Sequence, residues 1–312
     1  MITELGLAIL GTYAYNYLNT WEEQKIKHKF KKFIEEKELM NKSSTNKAKV
    51  KNVQLFDYGF RTTLDISGVC GFEEIEKHQD YLKQLFRADG IDIKNIKGRA
   101  IIDVVIDKVT GLEHKRVLLP QTTLLLGYKD TGELLTVDML KMAHIGIVGL
   151  SLSGKSKMVE VALNNLVGAD IVLLNVFRND FKSVRARRIN GDENILLFLN
   201  SLLQHPYVRD RPLYLVIDEL NLLADNKDIN KVIGNLLKAA RHYNIYLICM
   251  AQDMVKESVK FKNLFNIRIC FRCVEESSYR AFLGVTVPEG NLLPREFYCL
   301  SDGLYKGYTY TI

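Results

Sequence analysis

From Thr136 to the C-terminus, short apolar runs alternate with amphipathic segments of helical period. The runs Ile145–Val148, Ile171–Asn175, Leu213–Ile217, Ile245–Met250 and Ile267–Phe271 have the length and β-branched content of buried strands. Helices are predicted between them near Lys155–Val167, Asn194–Leu203, Asp228–Tyr243 and Glu276–Leu283. Shorter strands near Phe297–Leu300 and Tyr308–Ile312 complete the pattern. Such alternation specifies an α/β fold with a mainly parallel sheet. Upstream, Phe72, Ile75, Leu82, Leu85 and Phe86 recur at helical spacing, Ile101–Ile106 reads as a strand, and Arg116–Leu126 is a further apolar stretch. These residues predict a small mixed α/β domain. The expected organisation is therefore an N-terminal helix and linker over 1–47, a small α/β domain over 48–130 and a larger α/β domain over 131–312. A length of 312 residues suits such a multidomain chain.

Within this pattern one stretch carries recognisable chemistry. The apolar run Ile145–Val148 leads into Gly149-Leu150-Ser151-Leu152-Ser153-Gly154-Lys155-Ser156, after which an amphipathic segment begins. A strand, a glycine-bounded loop and a helix start are the context that the G-x-x-x-x-G-K-[ST] phosphate loop requires. Loop N–H groups and the positive end of the helix dipole converge on an anion. Lys155 reaches the β- and γ-phosphates of a nucleoside triphosphate, and Ser156 ligates Mg²⁺. Leu213–Ile217 runs directly into Asp218-Glu219, placing two carboxylates at the carboxyl edge of the sheet beside that loop. Asp218 is the candidate Mg²⁺ ligand and Glu219 the group that polarises water. Gln252 ends the next apolar strand, where an amide senses the γ-phosphate or remains a loop residue.

Charge adds a second layer. The chain carries 43 basic and 37 acidic residues, for +6. Ten lysines against five glutamates between Glu22 and Lys51 leave the remainder near neutral. That balance argues against a static, high-affinity polyanion binder. A local basic cluster follows the second strand: Arg178, Lys182, Arg185, Arg187 and Arg188 against Asp180. It reads either as a solvated face or as a loop touching the phosphodiester backbone, with Lys182, Arg185, Arg187 and Arg188 as DNA contacts. Arg241 ends the helix after the carboxylates, as a capping charge or as an arginine finger toward a neighbouring subunit.

The five cysteines have no framework spacing and no signal peptide is evident, so a reduced cytoplasmic setting is expected. Cys270-x-x-Cys273 lies in a strand-like run, which would turn the two side chains to opposite faces as buried thiols. Residues Ile2–Leu18 are apolar with a tyrosine and tryptophan rim and a lysine-rich flank. This segment predicts attachment to the inner face of the cell membrane, with an interfacial or partner-binding helix as alternatives. Glu22–Met40 continues as a charged helical stalk, and Asn41–Asn46 as a linker.

Several blocks in order resemble the FtsK/SpoIIIE family of DNA translocases, in the HerA–FtsK branch of P-loop ATPases. They are LGYKDTGELLTVDMLKMAHIGIVGLSLSGKS, VIDEL, ARHYNIYLICMAQDM, NIRICFRCVEESSYRAFLG and NLLPREFYCLSDG, covering about Leu126 to Ile312. The resemblance implies a RecA-like P-loop NTPase that assembles as a homo-hexamer and moves double-stranded DNA by hydrolysing ATP with Mg²⁺. It assigns nucleotide binding to Gly149, Gly154, Lys155 and Ser156, Mg²⁺ to Asp218, catalysis to Glu219, sensing to Gln252, an action in trans to Arg241, and the arginine of the "SR" pair to Arg280. The chain departs from the family at Asn175-Val176-Phe177, at Asp253-Met254 after Gln252, and at Glu276. No C-terminal winged-helix domain is expected. The short architecture suits DNA transfer or mobilisation by a conjugative element, plasmid or phage, with a relaxase or transfer-apparatus protein as partner. A non-motor nucleotide-binding adaptor, a virion DNA-packaging ATPase and a protein-secretion ATPase are the alternatives.

Overall fold

A computed structural model describes residues 21–41, 43, 45–177, 179–204, 206–252, 261–288 and 290–311. The apolar segment Ile2–Leu18 lies outside these residues, as do Arg178 and Asp253-Met254. No described helix is long and apolar enough to cross a membrane. The chain divides into two compact units after Val109.

The first unit begins with helix α1 (21–36) and continues with β1 (Lys49–Phe56), β2 (Gly59–Asp65), α2 (Phe72–Glu76), α3 (Gln79–Phe86), β3 (Gly90–Ile96) and β4 (Arg99–Val105). Its sheet has the order β1-β2-β4-β3 and every pairing is antiparallel. In β2 the residues alternate strictly, Phe60, Thr62 and Leu64 turning inward, as a half-buried strand requires. The expectation of a charged stalk before this domain is corrected here. Helix α1 hides an apolar stripe inside its lysine-rich sequence, with Ile26, Phe30, Phe33 and Ile34 at helical spacing. Phe30 and Phe33 are fully buried, and the Phe30 ring lies 4.9 Å from Phe86 and 6.3 Å from Phe60. Asp103, buried on β4, is satisfied by a bidentate Arg61 pair at 2.8 and 2.9 Å and by the Tyr58 hydroxyl at 2.8 Å.

The second unit contains β5 (Thr123–Tyr128), β6 (Leu134–Asp138), β7 (Ile145–Val148), α4 (Lys155–Asn165), β8 (Asp170–Leu174), β9 (Arg187–Ile189), α5 (Asp192–Gln204), β10 (Leu213–Ile217), α6 (Leu220–Ala224), α7 (Lys227–Ala239), β11 (Ile245–Ala251), β12 (Ile267–Phe271), α8 (Glu276–Leu283), β13 (Glu296–Leu300) and β14 (Leu304–Tyr308). Its ten strands join one sheet in the order β6-β5-β14-β13-β12-β7-β11-β10-β8-β9. From β12 to β9 the pairings are parallel, and from β12 to β6 they are antiparallel. Strand β5 belongs here, so this unit starts about twenty residues before the boundary the sequence suggested. The terminal strand also falls earlier than Tyr308–Ile312. A three-residue turn after Leu300 folds Leu304–Tyr308 straight back onto β13, leaving Thr311 only an isolated bridge to Glu113.

Strands β10 and β11 are buried on both faces and are accordingly apolar throughout. Leu213, Leu215 and Ile217 face a core shared with α5, α7 and α8, while Tyr214 and Val216 face one shared with α4. The result is three layers, with every parallel strand delivering its carboxyl end to one edge.

Candidate nucleotide site

At that edge β7 opens into the loop Gly149–Ser156. Gly149 has φ 147° and Gly154 φ 115°, conformations that glycine reaches without strain. Space demands glycine as well. A Cβ on Gly149 would lie 2.6 Å from the Phe271 Cβ, and one on Gly154 would lie 3.3 Å from the Arg295 Cα. The loop is tied from outside at both ends: Leu150 donates its N–H to the Arg272 carbonyl at 2.9 Å, and Arg295 donates its N–H to the Ser153 carbonyl at 2.8 Å. Gly154 caps α4, so the N–H groups of the first helical turn have no partner within the helix and point at the loop.

Lys155 is buried and folds back over the loop, its Nζ donating to the carbonyls of Gly149 at 2.6 Å and Leu150 at 2.9 Å. Burial pushes its pKa down, opposed by the charges of Glu219, Asp218 and Cys273. The Ser153 hydroxyl is buried with no hydrogen-bond partner. A loop with inward N–H groups, a lysine held in reserve and an orphaned hydroxyl fits a polyphosphate. Ser156 is half-buried at the helix start, Leu152 fully exposed at the loop tip, and Ser151 exposed beside it.

Asp218 and Glu219 follow β10, one strand away across β11. Asp218 is buried, and burial together with the neighbouring Glu219 charge raises its carboxyl pKa to about 6. A carboxyl held that high gains from a divalent cation, so the chemistry of Asp218 fits a Mg²⁺ ligand. Glu219 adopts the left-handed conformation at φ 49°, costly for a residue with a Cβ. Its Oε1 accepts a hydrogen bond from the Gln252 Nε2 at 2.9 Å. The structure thus brings Gln252, Glu219, Asp218 and Lys155 to one place.

Other candidate residues lie apart from it. Arg241 is exposed in a 3-10 turn, Ala240–Tyr243, that precedes β11, so it sits at the opposite, amino edge of the sheet. Lys182 and Arg185 are exposed on the connection between β8 and β9. Arg187 stacks over Phe198 at 5.3 Å. Arg188 donates to the carbonyls of Asp180 and Phe181 at 2.7 and 2.8 Å, which gives it a structural task. Arg280 is exposed on α8.

Sequence reasoning missed three neighbours of the loop: Arg272, Arg295 and Cys273. The first two act through backbone atoms, which leave no residue-type signature. The third was set aside by a strand argument that fails at its end. Strand β12 stops at Phe271, and the turn that follows brings the Cys270 and Cys273 sulfurs to 3.4 Å rather than to opposite faces. Among the described residues no group of three or more His, Cys, Asp or Glu could hold a metal ion.

A strand-borne phosphate loop separated by one strand from a carboxylate-ended neighbour, in a large mostly parallel sheet, defines a P-loop ATPase fold. No protein-family model and no curated protein matches the chain. Among solved structures it is similar to the pCW3 conjugation coupling protein TcpA, in its monomer form with ATPγS, at 17% identity over 92% of this chain and 95% of that one, with a TM-score of 0.60. It is also similar to EssC (ATPases 2 and 3) from Geobacillus thermodenitrificans, at 12% identity, 64% and 46% coverage, and a TM-score of 0.54. A third likeness is to the cytoplasmic domain of the Thermomonospora curvata type VII secretion ATPase EccC, at 18% identity, 64% and 30% coverage, and a TM-score of 0.51. At these identities the likeness is one of fold.

Proposed function

We propose that this protein is an ATP-driven double-stranded DNA translocase of the FtsK/SpoIIIE type, serving DNA transfer or mobilisation. The observation that carries the reading is the convergence of Lys155, Asp218, Glu219 and Gln252, on a fold shared along nearly its whole length with a conjugation coupling protein. In this reading the loop N–H groups and Lys155 hold the triphosphate, Lys155 exchanging its two carbonyl partners for phosphate oxygens. Ser156 and Asp218 hold Mg²⁺, which neutralises phosphate charge. Glu219 orients and polarises the attacking water, and Gln252, bonded to Glu219, registers the γ-phosphate. Arg241, remote from its own loop, acts on the nucleotide of the next subunit in a homo-hexameric ring. Lys182, Arg185 and Arg187 contact DNA phosphates.

The test is steady-state ATP turnover of the full chain with and without duplex DNA. Stimulation by DNA, abolished in Lys155→Ala and Glu219→Gln, supports the reading; a rate indifferent to DNA overturns it. The fold shared with EccC and EssC supports a second reading, a motor acting on polypeptide. That reading predicts stimulation by an unfolded polypeptide and none by duplex.

A further inference from the structure

The Cys270 and Cys273 pair is unused by the reading above, yet it adjoins the phosphate loop. Cys270 is fully buried near the end of β12, and burial raises its thiol pKa well above the ordinary value. Cys273 is half-exposed, and its thiol donates to the Phe271 carbonyl at 3.4 Å. The residue between Phe271 and Cys273 is Arg272, whose carbonyl accepts the Leu150 N–H and so fixes the entry to the loop. The Cys273 N–H is itself held by the Tyr279 hydroxyl at 3.1 Å. The sulfurs therefore flank a peptide strapped to the nucleotide site, at a separation of 3.4 Å. A bond of about 2.05 Å is reached by a shift of roughly 1.4 Å in the side chains and the turn.

We infer that Cys270 and Cys273 form a thiol-oxidation site whose closure by a hydroperoxide weakens nucleotide binding at the adjoining loop. The division of labour follows from exposure. The Cys273 thiol, reachable from solvent, gives up its proton and attacks one oxygen of hydrogen peroxide: an S–O bond forms, the O–O bond breaks, and the departing hydroxide takes that proton to leave as water. The Cys270 sulfur then attacks the Cys273 sulfur. An S–S bond forms, the S–O bond breaks, and hydroxide leaves with the Cys270 proton as a second water. Two thiols surrender two electrons and one peroxide accepts them.

Closure has one direct consequence at the site. It encloses the Arg272 peptide in a small ring, moving the carbonyl that accepts the Leu150 N–H. Half-buried Cys70 is remote in sequence and Cys249 and Cys299 are buried, while Cys270 and Cys273 approach each other, so the chemistry is local to this pair. The coupling to nucleotide rests on the loop being a nucleotide site, as proposed above.

The experiment compares the full chain reduced, treated with hydrogen peroxide, and re-reduced with dithiothreitol. Peptide mass mapping reads the cross-link, and titration with fluorescent ATP analogue reads affinity. The expected result is a Cys270–Cys273 disulfide, two hydrogens lighter, with affinity about tenfold weaker and restored by reductant. Cys273→Ser and Cys270→Ala should each bind equally in peroxide and in reductant. Oxidation of Cys273 without a cross-link, or a cross-link that leaves affinity unchanged, overturns the inference. Failure of the reduced protein to bind nucleotide overturns the nucleotide-site reading and the coupling with it, while the mass map still decides the thiol chemistry.

Discussion

His144 immediately precedes β7, the strand that presents the phosphate loop, and it fastens that strand at its amino end. Its Nδ1 accepts the Leu247 N–H from β11 at 3.0 Å, and its carbonyl accepts the Ile267 N–H from β12 at 3.3 Å. The ring is 2% exposed, and its Nε2 has no partner. Burial, with the nearby Arg241 charge adding to it, lowers the imidazole pKa from 6.5 to about 4. Protonation would also turn Nδ1 from acceptor to donor against the Leu247 N–H. The sign follows from linkage. Between these two values the unfolded chain holds a proton that the folded chain does not, so stability falls as pH drops from about 6.5 toward 4. A shift of that size removes about 3 kcal/mol between pH 7 and pH 4. The perturbation that isolates the effect is His144→Asn. Asparagine tolerates the left-handed backbone at φ 67°, its amide oxygen can accept the Leu247 bond, and it does not titrate. Urea unfolding of both proteins at half-unit intervals from pH 7 to pH 4 gives the difference. The variant should start less stable and lose about 3 kcal/mol less than the parent over that range. Parallel losses within about 0.5 kcal/mol, or a measured His144 pKa near 6.5 in the folded protein, would refute the reasoning.

Gly149→Ala places a methyl group 2.6 Å from the Phe271 Cβ at a left-handed φ. It should lower stability by about 1–3 kcal/mol from backbone strain alone, read as a fall in the thermal midpoint. Glu219→Gln should leave ATP affinity within about threefold while kcat falls roughly 10²- to 10⁴-fold, as loss of a general base rather than of a binding group. The basic connection after β8 should separate by role. Arg188→Ala should cost about 1–3 kcal/mol of stability through its two carbonyl bonds. Lys182→Ala and Arg185→Ala should change stability by less than about 0.5 kcal/mol, yet each should reduce the salt dependence of duplex binding by about one charge.

The central parallel strands of the large sheet were legible because they are buried on both faces and so spell largely apolar runs. Ile145–Val148, Leu213–Ile217 and Ile267–Phe271 are found with the bounds their sequences suggest. The nucleotide loop was legible for a different reason: two glycines and a lysine at fixed spacing are demanded by geometry. Half-exposed strands were harder to see. Neither β1 and β2 nor the three-residue β9 announces itself, because solvent-facing positions dilute the apolar signal. Helix α1 shows the opposite failure, since ten lysines between Glu22 and Lys51 obscure an apolar stripe that supplies two fully buried phenylalanines. Cys273 was misread because a period-2 argument was carried two residues past the strand end. The contact of Gln252 with Glu219 depends on two strand ends lying side by side, which register supplies and sequence does not.

Whether ATP hydrolysis moves DNA is tested most directly by displacement of a labelled third strand from a duplex-borne triplex. With ATP and Mg²⁺ the full chain should strip the third strand, and Glu219→Gln should leave it in place despite binding nucleotide. Turnover of ATP with the triplex undisturbed, on duplex long enough to load a ring, would contradict the account.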